Sequence, residues 1–199
     1  MNFGINRIIK YLILSDLIFF TGWGLITPIF AIFVVERIQG GNAFVAGFAA
    51  GLNSFLIALL RFPFATFLDS LKDKRKSFWF LFFGFLVASL VPFGFIFAKF
   101  PWHVYLLQTI HAFAMAINFS AWAMIFIRHI DKGKESTEWN LGGCVVGLGS
   151  GISGAIGGWA VTYFGFTPVF IAVGIIGLFA TCFLLLLRKE ILRSTYLDI

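Results

Sequence analysis

Apolar residues run along this chain in long stretches, and the charged residues, glycines and prolines that interrupt them gather in short clusters. Cutting at those clusters gives six apolar runs, near residues 11–34, 43–66, 77–98, 102–127, 139–163 and 166–187. Each reaches the roughly 20 residues that a helix needs to cross the hydrocarbon core of a bilayer. Of all the Asp, Glu, Lys and Arg residues, only Asp16 and Arg61 fall inside the runs. The pattern predicts an all-α membrane protein with a single six-span transmembrane domain over residues 1–199. Asn42 is placed to cap the second helix and Ser136 or Thr137 the fifth. Trp79, Trp102, Trp139 and Trp159 fall near span ends, where amphipathic rings favour the membrane interface.

Within the first run, Pro28 cannot donate to the carbonyl of Gly24, and glycines flank Trp23, so the helix is expected to bend or loosen near its middle. Freed backbone groups are tolerated at that depth only where they face protein or a wet cavity. The first span is therefore a candidate cavity wall. The third, from Ser77 to Ala98, is nearly pure Phe, Leu and Val and reads as peripheral and lipid-facing.

Composition agrees with this class. Of 199 residues 60% are hydrophobic and 12% charged, and a mean hydropathy of +0.95 lies far from soluble usage. The first run carries Asp16 and Pro28 and is too long for a signal-peptide core, so it stands as a true span. Cys144 and Cys182 both lie within spans, where packing explains them better than a disulfide framework. No metal-ligand spacing and no nucleophile–base constellation occurs, so neither a cofactor nor an enzyme is expected.

Charge sets the sidedness. Arg7 and Lys10 precede the first span; Lys72, Lys74, Arg75 and Lys76 lie between spans two and three; Arg128, Lys132 and Lys134 between four and five; Arg188, Lys189 and Arg193 follow the sixth. The opposite loops hold only Arg37 and Lys99, so both termini are expected in the cytoplasm. The net charge of +6 is spread over these four inner segments, which suits attraction to anionic headgroups and not a nucleic-acid partner. The expected location is the plasma (inner) membrane.

Three sets of residues carry candidate function. Asp16 and Arg61 each lie about five residues from the inner end of their span and so share a depth. An intramembrane charge is expensive alone, so they are expected to pair; a snorkelling or structural role and a gating role both remain open. The fourth span carries Gln108, His111, Met115, Asn118 and Trp122 at offsets that keep them on one helical face, pointing at a bundle interior or water-filled cavity. Interhelical hydrogen bonding is the plainer reading of that stripe. The fifth span repeats small residues every four positions, at Gly143, Gly147 and Gly151 and again at Ser150, Gly154 and Gly158, a ridge that lets helix backbones approach closely.

Six spans with both ends inside, the charged turn between spans two and three, and the glycine-rich fifth span followed by Phe164-Gly-Phe-Thr-Pro-Val-Phe170 resemble the N-terminal half of a major facilitator superfamily transporter. The family's inner-loop signature is a Gly, three intervening residues, an Asp, a basic residue, any residue, a Gly and further basic residues. Here Ala65 stands at the first Gly, Asp69 matches, Ser70 replaces the basic residue, Lys72 replaces the second Gly, and Lys74 and Arg75 restore the positive run. The family's frequent span-four Arg corresponds to Gln108, so proton coupling there is not implied. Ser153-Gly154 precede Ala-Ile-Gly157-Gly158 without the Pro of the antiporter motif.

The resemblance implies a bundle of 3+3 inverted repeats and a site facing a second six-span half, supplied by another copy or a separate chain. The residues expected to line the cavity are Asp16, Trp23, Asn53, Gln108, His111, Asn118 and Trp122, and the neutral polar and aromatic groups that dominate them suit a small organic solute, uncharged or weakly cationic. Arg61, Asp69, Lys74 and Arg75 would form the gating and inner-loop motif, with Asp69 facing the N-terminal dipole of span five in the partner half and Glu138 opposing it. A non-transporting assembly subunit held by the glycine ridge, and a truncated coding sequence, are the alternatives.

Overall fold

The computed structural model describes residues 5–71 and 74–195, the side chains of 74, 75, 189 and 191–195 lying outside that description. Six membrane-length helical segments occupy the chain. The first is broken: α1 (Arg7–Gly24) stops, a single 3-10 turn runs over Thr27–Ile29, and α2 (Phe30–Arg37) completes the crossing. Pro28 sits inside that turn, at the site where the missing N–H forbids a continuous ladder. The other five are α3 (Ala43–Ser70), α4 (Lys74–Ile96), α5 (Pro101–His129), α6 (Glu135–Phe164) and α7 (Phe166–Thr195).

Local chemistry sets the ends. Asn42 Oδ1 accepts from Val45 N–H at 3.0 Å and caps α3 as expected. The start of α6 differs from expectation, because neither Ser136 nor Thr137 caps it. Instead, carboxylates of the first turn of α6 hold the loop before it: Glu135 accepts from the Gly133 N–H at 3.0 Å and Glu138 from the Asp131 N–H at 3.1 Å. Gly133, at φ +82°, makes the left-handed turn that brings those amides round.

Two apolar clusters fill the bundle. One gathers Ile9, Leu12, Phe78, Leu81, Met124, Phe126 and Leu184; the other, toward the opposite membrane face, gathers Ile29, Phe33, Val34, Val45, Phe95, Val104 and Phe170. Trp23, where the first span breaks, packs against both. The pairing of helices is symmetrical in a specific sense. The fourth span, α5, packs on α3 and α4; the first packs on α6 and α7; and α4 packs on α7. Exchanging spans one, two and three for four, five and six leaves this pattern unchanged, and the two triplets cross the bilayer in opposite directions. This is the arrangement of two inverted three-helix repeats.

Packing is tightest on α4, α5, α7 and the first span. Between 39% and 56% of the apolar window of each of these is buried, against 17% for α3 and 11% for α6. The third span thus departs from the expected lipid-facing helix. Its Phe78, Leu81 and Phe85 are buried, Ser77 Oγ donates to Met124 Sδ at 2.8 Å, and Ser89 Oγ lies 3.4 Å from Thr181 Oγ1. A uniformly apolar helix looks the same to lipid and to protein, which is why its sequence hid the packed side.

Close approach is made by small residues. A Cβ on Gly84 would lie 2.8 Å from both the Ala114 carbonyl oxygen and Asn118 Cβ, whereas Gly47 and Gly51 of α3 have nothing within 4 Å. Alanine favours a helix over glycine by roughly 1 kcal/mol when space is free. Gly51→Ala is therefore expected to hold or raise the thermal unfolding midpoint in nanodiscs, while Gly84→Ala lowers it by wedging α4 from α5. Equal shifts in the two variants would refute this account of the α4–α5 contact.

Candidate functional site

The faces that α1, α3, α5 and α6 turn toward one another leave a cavity of about 320 Å³ toward the inner end of the bundle as the charge pattern orients it. Asp16 and Phe20 reach it from α1, Arg61 from α3, Phe119 and Trp122 from α5, and Trp139 from α6. Asp16 is only 9% exposed. Trp122 stacks on Phe126 with centroids 4.6 Å apart and meets Trp139 edge-on at 5.8 Å, so Trp139 walls the cavity as well as ending its span. The Trp122 indole N–H is buried without a hydrogen bond of acceptable geometry, although the Asp16 carboxyl lies close enough to interact with it.

Asp16 and Arg61 border the same cavity, but they do not pair. Among the described residues no ion pair joins them, and the Arg61 guanidinium instead lies 4.9 Å from the Phe119 ring centroid. The physical reason is placement: Asp16 projects from α1, whose neighbours are α6 and α7, and Arg61 from α3, whose neighbour is α5. Ser120, which the sequence did not single out, ties that second pair by donating to the Arg61 carbonyl at 3.1 Å. Its signal was present in the pattern, since Ser120 is a polar residue on an apolar helix, but it lies off the face of the stripe.

A second group lies nearer the middle of the bundle. The Asn53 amide nitrogen of α3 donates to the Gln108 carbonyl oxygen at 3.0 Å and sits 2.9 Å from His111 Nδ1. The His111 ring lies 4.1 Å from that of Trp23, whose buried indole N–H makes no hydrogen bond. Three spans, the first, second and fourth, meet in this cluster. Gln108 contributes to it through its backbone, and its side chain is buried.

The span-four stripe therefore points inward, while Leu106, Ile110, Phe113 and Ile127 cover the outer side of α5. Its members divide between two tasks. His111 and Trp122 face polar clusters, whereas Asn118, though it borders the cavity, is 1% exposed and donates to the Leu81 carbonyl at 3.2 Å, binding α5 to α4. That is the interhelical glue which the plainer reading expects.

The glycine ridge divides likewise. Gly143, Gly147, Gly151 and Gly158 have nothing within 4 Å of a Cβ position, so in this chain they pack on no helix. Gly154 lies against Pro28, 3.4 Å from its Cγ. The close contacts with α1 come from the interleaved face. A Cβ on Gly149 would meet Thr21 and Leu17, and one on Gly157 would overlap the Leu25 carbonyl. Alongside, Phe20, Trp23, Pro28, Gly147, Gly151 and Gly154 border an open groove of about 730 Å³.

Toward the inner end, Asp69 borders a groove of about 400 Å³ between α3 and α5, with Arg61 and Phe119 also on it. Glu138 is fully buried, one carboxylate oxygen holding the Asp131 amide and the other unpartnered. Lys72 and the side chains of Lys74 and Arg75, the basic end of the inner-loop motif, lie outside the described residues.

A family model described as Major Facilitator Superfamily matches residues 12–195, nearly the whole chain. The chain belongs to the Major Facilitator Superfamily. Among solved structures it is similar to a POT family transporter, PepTSo, in an in meso crystal structure, with a TM-score of 0.70 at 17% identity. That match covers 92% of this chain and 38% of the other, so the chain spans well under half the length of the transporter it resembles. No match is found among curated proteins. Superfamily membership and the six long apolar helices make it an integral multi-pass membrane protein.

The mid-bundle cluster is open to direct measurement. A polar contact between helices in a bilayer contributes about 0.6 kcal/mol on average and up to about 1.7. A double-mutant cycle of Asn53→Ala and His111→Ala, read from unfolding in mixed micelles, is expected to give a coupling within that range. Additive effects would mean that the 2.9 Å contact contributes nothing.

Proposed function

We propose that this chain is one six-span half of a solute transporter of the superfamily, completed by a second six-span half that is another copy or a separate chain. A single observation carries the proposal. Charged, polar and aromatic groups from four helices converge on the one side of the bundle where α3 and α6 are left largely uncovered. A soluble-core role cannot explain polar convergence toward an uncovered face, and a purely structural span has no use for a cavity of this size. The solute is a small organic molecule of zero or weakly positive net charge, since a single basic side chain borders the cavity among the described residues. Neither cofactor nor nucleic acid takes part. Both termini face the cytoplasm of a plasma membrane, and Asp69 serves the inner gate against the helix start of the partner half.

A second reading has an observation of its own. Gly143, Gly147, Gly151 and Gly158 present a smooth ridge with no neighbour, which also suits a non-transporting assembly subunit. Both readings place a partner on α6, and solute flux separates them.

The test is the mass and activity of the protein purified from its native membranes. The chain, 22.2 kDa alone, is expected to behave as two six-span units in nanodiscs and to carry solute in proteoliposomes. Gly147→Leu is expected to abolish the larger assembly while leaving helical content unchanged. A monomer that moves no solute overturns the proposal, and an assembly that moves none favours the second reading.

A further inference from the structure

The cavity between α1, α3, α5 and α6 holds two opposite charges that do not neutralise each other. Asp16 stands on one wall, the α1–α6 side, nine-tenths buried. Arg61 stands on the other, the α3–α5 side, its guanidinium against the Phe119 ring. Among the described residues they are the only charged side chains bordering the cavity, one of each sign. Unpaired charges at membrane depth are costly, and about 320 Å³ of space between the walls gives one molecule room to meet both.

We propose that this cavity binds a small zwitterion of amino-acid size, with its ammonium group at Asp16 and its carboxylate at Arg61. The assignment rests on reading the cavity as a solute site, as above, and names the class of solute. Each end has the recognition chemistry it needs. Aromatic faces beside a carboxylate suit an ammonium group, and Phe20, one turn along α1 from Asp16, borders the cavity with Trp122 and Trp139. A guanidinium holds a carboxylate through paired hydrogen bonds. A simple cation would leave Arg61 repelled and uncompensated, and a simple anion would do the same to Asp16. A solute with no charged group would leave both unmet.

The test uses the full chain in its native assembly, in nanodiscs, with tryptophan fluorescence and thermal shift reporting binding. Three probes share one apolar body: phenylalanine carries both charges, phenethylamine only the ammonium and 3-phenylpropionate only the carboxylate. Phenylalanine is expected to bind at least about tenfold more tightly than either. Arg61→Gln is expected to erase its advantage over phenethylamine and Asp16→Asn its advantage over 3-phenylpropionate. Binding of all three alike, preference for a singly charged probe, or no binding of any overturns the proposal. So do variants that weaken all three equally, since a structural role acts without regard to probe charge. Transport is scored separately: flux of other solutes without zwitterion preference sinks this assignment alone, and zwitterion binding without flux sinks the transport reading alone.

Discussion

Inside a bilayer an apolar side chain gains little by exchanging lipid for protein, so helices are held where backbones come unusually close and where a few polar groups bond across the gap. The break in the first span sets the closest approach of all. With the ladder interrupted after Gly24, the backbone at Leu25 needs a neighbour with no side chain, and Gly157 of α6 provides one. Gly24 in turn lies against Ser150 and Ser153. A proline in one helix thus specifies glycines in another, and the pairing of α1 with α6 follows. On the other side of the bundle, Asn53 and Ser120 hold α3 to α5 through carbonyl oxygens, and Asn118 holds α5 to α4.

Much of this was legible in the sequence. The six spans, the cap at Asn42, the bend near Pro28 and the inward face of span four follow from run length, side-chain oxygen placement, a missing N–H and helical period. Those signals are local or periodic, and the bilayer reinforces them because it leaves the backbone almost no alternative to a helix. Partner identity was harder to read. Asp16 and Arg61 border one cavity but stand on different walls, which depends on how helices are ordered around the bundle. The glycines of α6 repeat so densely that spacing alone could not tell the face toward α1, with Gly149 and Gly157, from the open face with Gly143, Gly147 and Gly151. Trp139 signalled a span end and proved also to line the cavity, because α6 tilts its first turns against Trp122 and Phe126.

The cavity itself follows from the order of helices. Spans one and five form one wall and spans two and four the other, and the first and fourth touch each other only lightly along the seam. Inverted repeats make the walls equivalents of one another with opposite direction through the membrane. The open groove beside Pro28 on the first wall and the groove beside Asp69 on the second therefore occupy corresponding places at opposite ends.

Each wall brings one charge to the seam. Had Asp16 and Arg61 come from adjacent faces of one wall, attraction at membrane depth would have closed them into a pair and filled the space. Their separation is maintained from behind, by the glycine contact that seats α1 on α6 and by the Ser120 bond that seats α3 on α5. The Phe119 ring gives the Arg61 guanidinium an aromatic face to rest on, a weaker partner than a carboxylate and one that a solute can displace. The same helix-to-helix contacts that make the bundle stable in lipid are thus what keeps its two charges available at the cavity.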